Sequence, residues 1–441
     1  MKSRWVSLSA VILIAAVTIP AIEFTSPLRS GTETDRAALG QRYVTAEAVV
    51  PNEKEIAQQW PGFRGPFGIG RVQRTSIPLK WNGNTGLNIL WKTRIPKPGF
   101  NSPVVWKDRV FVSGADKDSR EVYCFDCNTG RLTWTREAGV VPGSPPELPK
   151  VGKGTGFAAP SVAVDGRRVF AIFATGNIIS LDFDGNRQWA RHLRNPASSY
   201  GYASSLITHG GLVFVQMDDN DGRHLLGLDA ESGRTVWETT GELESCWSSP
   251  VLARIGEKTE LVLNGNPLVC GYDPITGDLI WKVECMIGDV APSPASDGEL
   301  VFATTAYAVL AAINPEDGAR IVWQTNEALP DVSSPVAADG LLYVPSDGGL
   351  LTCYETASGA KLWQKEFDEV FHSSPLIVSD RVFLTDLKGV TFVFKAGREY
   401  EQLAKNELGE AVSSTPAFVD GRIYIRGQDN LFCVGVAVNG Q

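Results

Sequence analysis

The sequence predicts an all-β fold: an eight-bladed β-propeller of four-stranded antiparallel blades, closed by an N-terminal strand that completes the last blade. Three observations predict it. A Ser-Pro-like pair followed by apolar residues recurs at Ser102-Pro103, Ala159-Pro160, Ser205-Leu206, Ser249-Pro250, Ser293-Pro294, Ser334-Pro335, Ser374-Pro375 and Thr415-Pro416, with spacings of 57, 46, 44, 44, 41, 40 and 41 residues. A tryptophan ends each unit in step with it: Trp91, Trp134, Trp189, Trp237, Trp281, Trp323 and Trp363, with Tyr400 expected in that role once. The last unit stops after Phe432-Cys433-Val434, while an unmatched strand, Asn88 to Lys92 with Trp91, stands at the front. Fixed periods of 40 to 50 residues are the signature of propellers, and an open array would leave long unpaired sheet edges.

The sixth unit shows the contents of a blade. Ser334–Ala338, Leu341–Pro345, Leu350–Tyr354 and a strand from Lys361 are apolar runs separated by Asp339-Gly340, Asp347-Gly348-Gly349 and Ser358-Gly359. Asp-Gly recurs at 165–166, 297–298 and 420–421, and its tolerance of positive φ suits two-residue hairpins. Thr129-Gly130, Ser232-Gly233, Thr276-Gly277 and Asp317-Gly318 repeat the later turn.

Composition fits such an array. The 441 residues include 44 Gly, 26 Pro and 12 Trp, and 43% are hydrophobic, enough for an extensive core. Net charge is −9, the pI is near 5.2 and no Lys/Arg run occurs, which counts against nucleic acid as a partner. Lys2 and Arg4 precede an uncharged stretch from Trp5 to Ile22, so residues 1–22 read as a signal peptide or signal-anchor helix. That implies an exported protein, periplasmic or anchored to the inner membrane by residues 5–22. Residues 23–59 read as a polar linker and 60–441 as the propeller. The seven cysteines show no disulfide framework, although a Cys246–Cys285 bridge stays open.

The fragments Leu-Asp-Ala-Glu-Ser-Gly-Arg-Thr-Val-Trp (228–237) and Tyr-Asp-Pro-Ile-Thr-Gly-Asp-Leu-Ile-Trp (272–281), with the repeated Ser-Pro, resemble the tryptophan-docking repeat of the pyrroloquinoline-quinone (PQQ)-like propeller superfamily. The resemblance spans about residues 58–434. Trp60-Pro61-Gly62-Phe63-Arg64-Gly65-Pro66 is also similar to the lead-in of exported bacterial members. Two branches imply different functions. Quinoprotein dehydrogenases oxidise alcohols or sugars with PQQ and calcium; BamB-type outer-membrane assembly factors are eight-bladed scaffolds without a cofactor. The chain lacks the adjacent-cysteine pair of many dehydrogenases and a Cys-x-x-Cys-His haem site, and it has no cysteine before Cys124 to serve as a lipoprotein anchor.

Most repeated residues read as structural. The tryptophans pack between sheets. Asp126, Asp182, Asp229 and Asp273, with Asn314 and Glu355 in the same place, hydrogen-bond their own turns. Cys124, Cys353 and Cys433 occupy the slot that Gly227, Gly271 and Ala312 fill elsewhere and read as small hydrophobes, so Cys124-x-x-Cys127 is no metal site. Asp218-Asp219-Asn220-Asp221-Gly222 fails the EF-hand template and reads as a solvated loop.

The residues just before each Ser-Pro pair break the repeat and crowd one mouth of the central channel. Phe100, Asn101, Phe157, Tyr202, Trp247, Asp331 and His372 are the candidate ligand- or partner-binding residues, with Tyr200, Cys246, Asp289 and Phe371 beside them. Trp247 is the residue expected to stack a flat ligand. The Pro- and Gly-rich insertion Ala138–Gly156 is expected to project over one face. The expected function is a non-catalytic exported scaffold for a protein or cell-envelope partner, with no cofactor and membrane association through the N-terminal segment. The alternative is a dehydrogenase with PQQ and calcium, and glycan recognition by the aromatic mouth is a third possibility.

Overall fold

Each blade begins where an apolar run is short enough to be a strand and ends where a Gly-containing turn reverses the chain. A computed structural model describes residues 51–436 apart from 75, 242–243, 245 and 420. Residues 1–22, most of the expected linker and Asp420 of one expected hairpin lie outside the described residues. Among the described residues no helix is long and apolar enough to cross a membrane.

The described strands form eight sheets, each built on four sequential antiparallel strands except the last, and the seventh carries one strand more. Blade one runs Val104–Trp106, Arg109–Ala115, Arg120–Asp126 and Leu132–Glu137; blade six runs Val336–Ala338, Leu341–Pro345, Leu350–Glu355 and Lys361–Glu366. Blade eight supplies Ala417–Val419, Arg422–Arg426 and Asn430–Gly435, and its outer strand is Ile89–Arg94 from the front of the chain. Trp91 pairs with Cys433 and Lys92 with Phe432, so head and tail share one sheet as expected. Innermost strands touch at six of the eight seams, blade eight against blade one included, hydrogen bonds from Ser205 to Ser249 and from Ser374 to Thr415 join the other two, and the wheel is closed.

The tryptophans clamp blade to blade. Trp237 Nε1 donates to the Pro274 carbonyl at 3.2 Å, one blade on, and its ring lies over Gly277, where a Cβ would come within 2.6 Å of the indole. Trp91, Trp134, Trp189 and Trp323 donate in the same way to Cys127, Phe183, Ala230 and Thr356 of the following blade. Trp281 differs: its Nε1 bonds the buried Glu260 carboxylate at 2.6 Å. Across the sheet each indole faces a small residue. Cys124, Cys353, Gly227, Gly271 and Ala312 pair with Trp134, Trp363, Trp237, Trp281 and Trp323, as the repeat predicted. A Cβ on Gly227 would lie 2.3 Å from Trp237, so bulk there is excluded.

The structure corrects several details. In blade two the residue equivalent to Ser102 is Ser161, not Ala159; the strand that follows, Ala163–Val164, keeps the same two-residue offset. In blade seven Ala404, facing Val393, takes the tryptophan slot that Tyr400 was expected to fill. Tyr400 packs instead on Trp363 at 5.3 Å. Trp81, 3% exposed, joins the buried cluster that contains Ala404. The folded body also begins before residue 60: Glu53–Gln58 is a helix capped by Asn52, whose Oδ1 accepts the Glu55 N–H at 3.0 Å. Arg71–Val72 adds a fifth strand to blade seven, parallel to Leu376–Val378. At Asp339-Gly340 both residues take positive φ, as that hairpin requires, but at 165–166 and 297–298 only the glycine does.

Candidate functional site

The repeated serine builds the channel wall. Ser102 N–H donates to Ser161 Oγ at 2.9 Å, Ser161 to Ser205 at 3.0 Å, Ser205 to Ser249 and Ser249 to Ser293 at 2.9 Å. Ser293 then donates to Ser334 at 2.9 Å, Ser334 to Ser374 and Ser374 to Thr415 at 3.0 Å, and Thr415 returns to Ser102 at 2.9 Å. The result is a closed ring of eight hydroxyls, one per blade. Each residue places its N–H on the next blade's oxygen, which satisfies backbone donors that the turn into the inner strand leaves unpaired.

This ring borders a cavity of about 290 Å³. Above the ring its wall is Phe100, Tyr200, Trp247, Asp289, Asp331 and His372. Tyr200 meets Trp247 edge to face, with centroids 4.8 Å apart and planes at 82°. Burial lowers the His372 pKa from the ordinary imidazole value, against the pull of Asp331, which raises it. The insertion 138–156 reaches the same mouth: Gly154 and Thr155 join the wall and Thr155 Oγ1 donates to the Tyr200 carbonyl at 2.9 Å.

Of the seven candidates, Phe100, Trp247, Asp331 and His372 share this cavity, and Asn101, Phe157 and Tyr202 do not line it. Asn101 is buried, with Nδ2 donating to the Ser113 and Ala158 carbonyls at 2.8 Å and Oδ1 accepting from Arg426 at 2.5 Å. Phe157 packs into the cluster of blades one and two, and Tyr202 into that of blades two and three. Of their neighbours, Cys246 is buried and donates to Asp218 Oδ2 at 3.0 Å, and Phe371 is buried in the core. All seven cysteines are free thiols, so Cys246 and Cys285 are not bridged.

The acidic run reads differently from the solvated loop expected. Asp218 and Asp219 are buried, and Arg223 Nε donates to Asp218 Oδ1 at 3.2 Å, while only Asn220-Asp221 form the hairpin tip. Charge composition hid this, because the compensating arginine lies on the returning strand.

The lead-in at 60–70 forms the floor. Trp60 exchanges hydrogen bonds with Val105 at 2.9 and 2.8 Å, and the Val164 N–H donates to the Pro61 carbonyl at 2.8 Å. Arg64 is fully buried. Its Nη1 donates to the Pro294 carbonyl at 3.0 Å and its Nη2 to that of Pro335, each one residue beyond the ring. Burial lowers its pKa to about 9. Phe63 borders both the mouth cavity and a second cavity of about 600 Å³ on the opposite face, and so divides them. The sequence marked this segment as a lead-in but gave no sign that it stoppers the wheel.

The cavity tests the quinone alternative. PQQ carries three carboxylates, and a site for it needs cations to offset them. The wall has Asp289 and Asp331 and neither Lys nor Arg, so this lining offers no Lys or Arg to offset the carboxylates of PQQ and does not fit it.

Comparison with known proteins shows the family and the fold of the chain. Residues 79–200, 147–330 and 308–398 match the family described as outer membrane protein assembly factor BamB. The BamB of Yersinia pestis is 22% identical over 301 residues, covering 62% of this chain and 74% of that protein. Among solved structures, BamB from Moraxella catarrhalis aligns with a TM-score of 0.59 at 16% identity, over 80% of this chain and 98% of its own. Quinohemoprotein alcohol dehydrogenase from Comamonas testosteroni aligns with a TM-score of 0.65 at 13% identity, over 92% and 85%. At these identities the structural likenesses establish the fold alone.

Proposed function

The chain belongs to the BamB family of PQQ-like propellers, and from that premise we propose that it is a non-catalytic, exported scaffold that holds a protein or cell-envelope partner at the open mouth of its wheel. Its setting is the periplasmic side of the envelope, with residues 5–22 as the export signal or anchor. The relatives named as outer membrane protein assembly factors make a protein of that assembly machinery the first partner to seek. The observation that carries the reading is the asymmetry of the channel. One end is filled by the chain's own Phe63 and Arg64, and the other is ringed by residues that depart from the repeat. Repeat positions are dictated by packing, so positions that break the repeat are where a surface is free to serve a partner.

The test is crosslinking in the native envelope from a photoreactive residue at Trp247 or Asp331, read by mass spectrometry. A specific protein captured from the mouth and not from Leu279, on an outer strand, supports the scaffold. Equal capture from both positions sinks it. A stoichiometric quinone spectrum and alcohol-dependent dye reduction by the purified chain with PQQ and calcium would replace it with the enzyme.

A further inference from the structure

We propose that the mouth cavity is a binding site for a neutral saccharide, taking one sugar residue against Trp247 and Tyr200 with its hydroxyls shared between the rim carboxylates and the hydroxyl ring. This goes beyond the scaffold reading and stands without it.

The ring sets the chemistry of the throat. Each of its oxygens already accepts a backbone N–H, for example Ser249 Oγ from Ser205 and Ser293 Oγ from Ser249. None of these hydroxyls donates to an acceptor among the described residues, and all eight face the cavity. Their side chains belong to residues no more than 6% exposed. A buried hydroxyl donor calls for a partner, from water or from a ligand. The throat therefore presents a circle of O–H donors.

The rim presents the opposite polarity. Asp289 and Asp331 are exposed acceptors on the same cavity. Beside these carboxylates in the same wall stands the Tyr200–Trp247 edge-to-face pair, a surface of aromatic carbon with Tyr200 41% exposed.

Charge then selects among ligand classes. An anion would meet two carboxylates and no Lys or Arg on the wall. A cation would suit the rim but would meet hydrogen-bond donors in the throat. A neutral molecule with both O–H donors and oxygen acceptors, and an apolar C–H face for the indole, satisfies every surface at once. Sugars have that combination. The volume of about 290 Å³ lies just below the ~300–1,000 Å³ range of small-ligand sites, which suits a single residue or the end of a chain.

The test uses the purified full chain with D-glucose and N-acetyl-D-glucosamine, followed by tryptophan fluorescence and saturation-transfer NMR. Gluconate and putrescine serve as charged counterparts. The expected result is saturable binding of a neutral sugar, weakened about tenfold or more by Trp247→Ala and unchanged by Leu279→Ala. Circular dichroism checks the fold of each variant; should Trp247→Ala not fold, Asp331→Ala is read in its place and is expected to weaken binding. The proposal is overturned by absence of saturable sugar binding to the folded chain, by preference for gluconate or putrescine, or by a folded Trp247→Ala that binds as the parent does.

Discussion

Trp91 stands directly opposite Cys433, where a strand from the front of the chain pairs with the last strand described. Its Nε1 reaches on to the Cys127 carbonyl of blade one at 2.9 Å and Thr93 Oγ1 to the Gly130 carbonyl at 2.8 Å, so side chains of the closing strand tie it to the first blade. Trp91→Ala removes a ring that is 8% exposed and one of three donors to the Cys127 carbonyl, which keeps Arg422 Nη1 at 3.0 Å and the Tyr424 hydroxyl at 3.3 Å. Truncating a buried aromatic to alanine costs about 3–5 kcal/mol. Equilibrium denaturation should show a loss of that order, with earlier proteolysis near residue 89 than in the parent.

The seam between blades seven and eight uses a different residue. Ala404 occupies the tryptophan slot, and Trp81 is buried in the same cluster, its backbone N–H donating to Asn406 Oδ1 at 3.0 Å. Trp81 should therefore be as important as a repeat tryptophan although it lies outside every repeat. Trp81→Ala is expected to destabilise the chain by about 3–5 kcal/mol. Ala404→Trp is expected to lose about 1–3 kcal/mol by overpacking rather than gain anything from restoring the repeat. Both are read by chemical denaturation, and a stabilising Ala404→Trp would show that the slot is vacant.

How far the sequence foretold this depends on whether a residue obeys the repeat. Ser-Pro, the turn glycine and the tryptophan were legible because each fills one slot in blade after blade, and the slots explain one another: Gly277 is small because Trp237 lies on it. Ser161 was misaligned because its blade has a proline one residue before the serine rather than one after. Tyr400 misled because an aromatic near the expected position outweighed strand register, which only the pairing of Val393 with Ala404 reveals. At the mouth, Phe100 and Trp247 were found but Asn101 and Tyr202 point elsewhere, since irregular backbone has no two-residue alternation from which facing can be read. The stopper was illegible for another reason: Arg64 bonds carbonyls 230 and 271 residues away, and nothing local encodes that contact.

The hydroxyl ring makes a prediction about one oxygen. Ser293→Ala leaves the Ser249 N–H, buried in the channel wall, without an acceptor. An unsatisfied buried donor costs about 1–3 kcal/mol. Ser293→Thr should be close to the parent, because blade eight already uses Thr415 at this position, accepting from Ser374 at 3.0 Å. Denaturation curves for the two variants separate the hydroxyl from the volume change. Equal loss in both would mean that the hydrogen bond contributes nothing.

Glu260 offers a test through pH. It is 4% exposed and accepts the Trp281 Nε1–H at 2.6 Å, taking the place of a backbone carbonyl in that blade. Burial raises its pKa from the usual glutamate range, opposed by the indole hydrogen bond and by Lys258 and reinforced by Glu316 and Asp273. A folded-state pKa above the unfolded one means that the folded protein holds the proton more tightly. Its contribution to stability is present below the unfolded value, about pH 4, and is lost as pH rises through the folded value. Glu260→Gln keeps an oxygen for Trp281 and removes the ionisation. Relative to the parent, the Gln variant should therefore gain melting temperature as pH rises from about 4 to 7, most steeply through the raised pKa of Glu260. Thermal melts of both proteins across that range decide it: a melting-temperature gap that stays constant with pH would show that the carboxyl is ionised at no expense in the folded wheel.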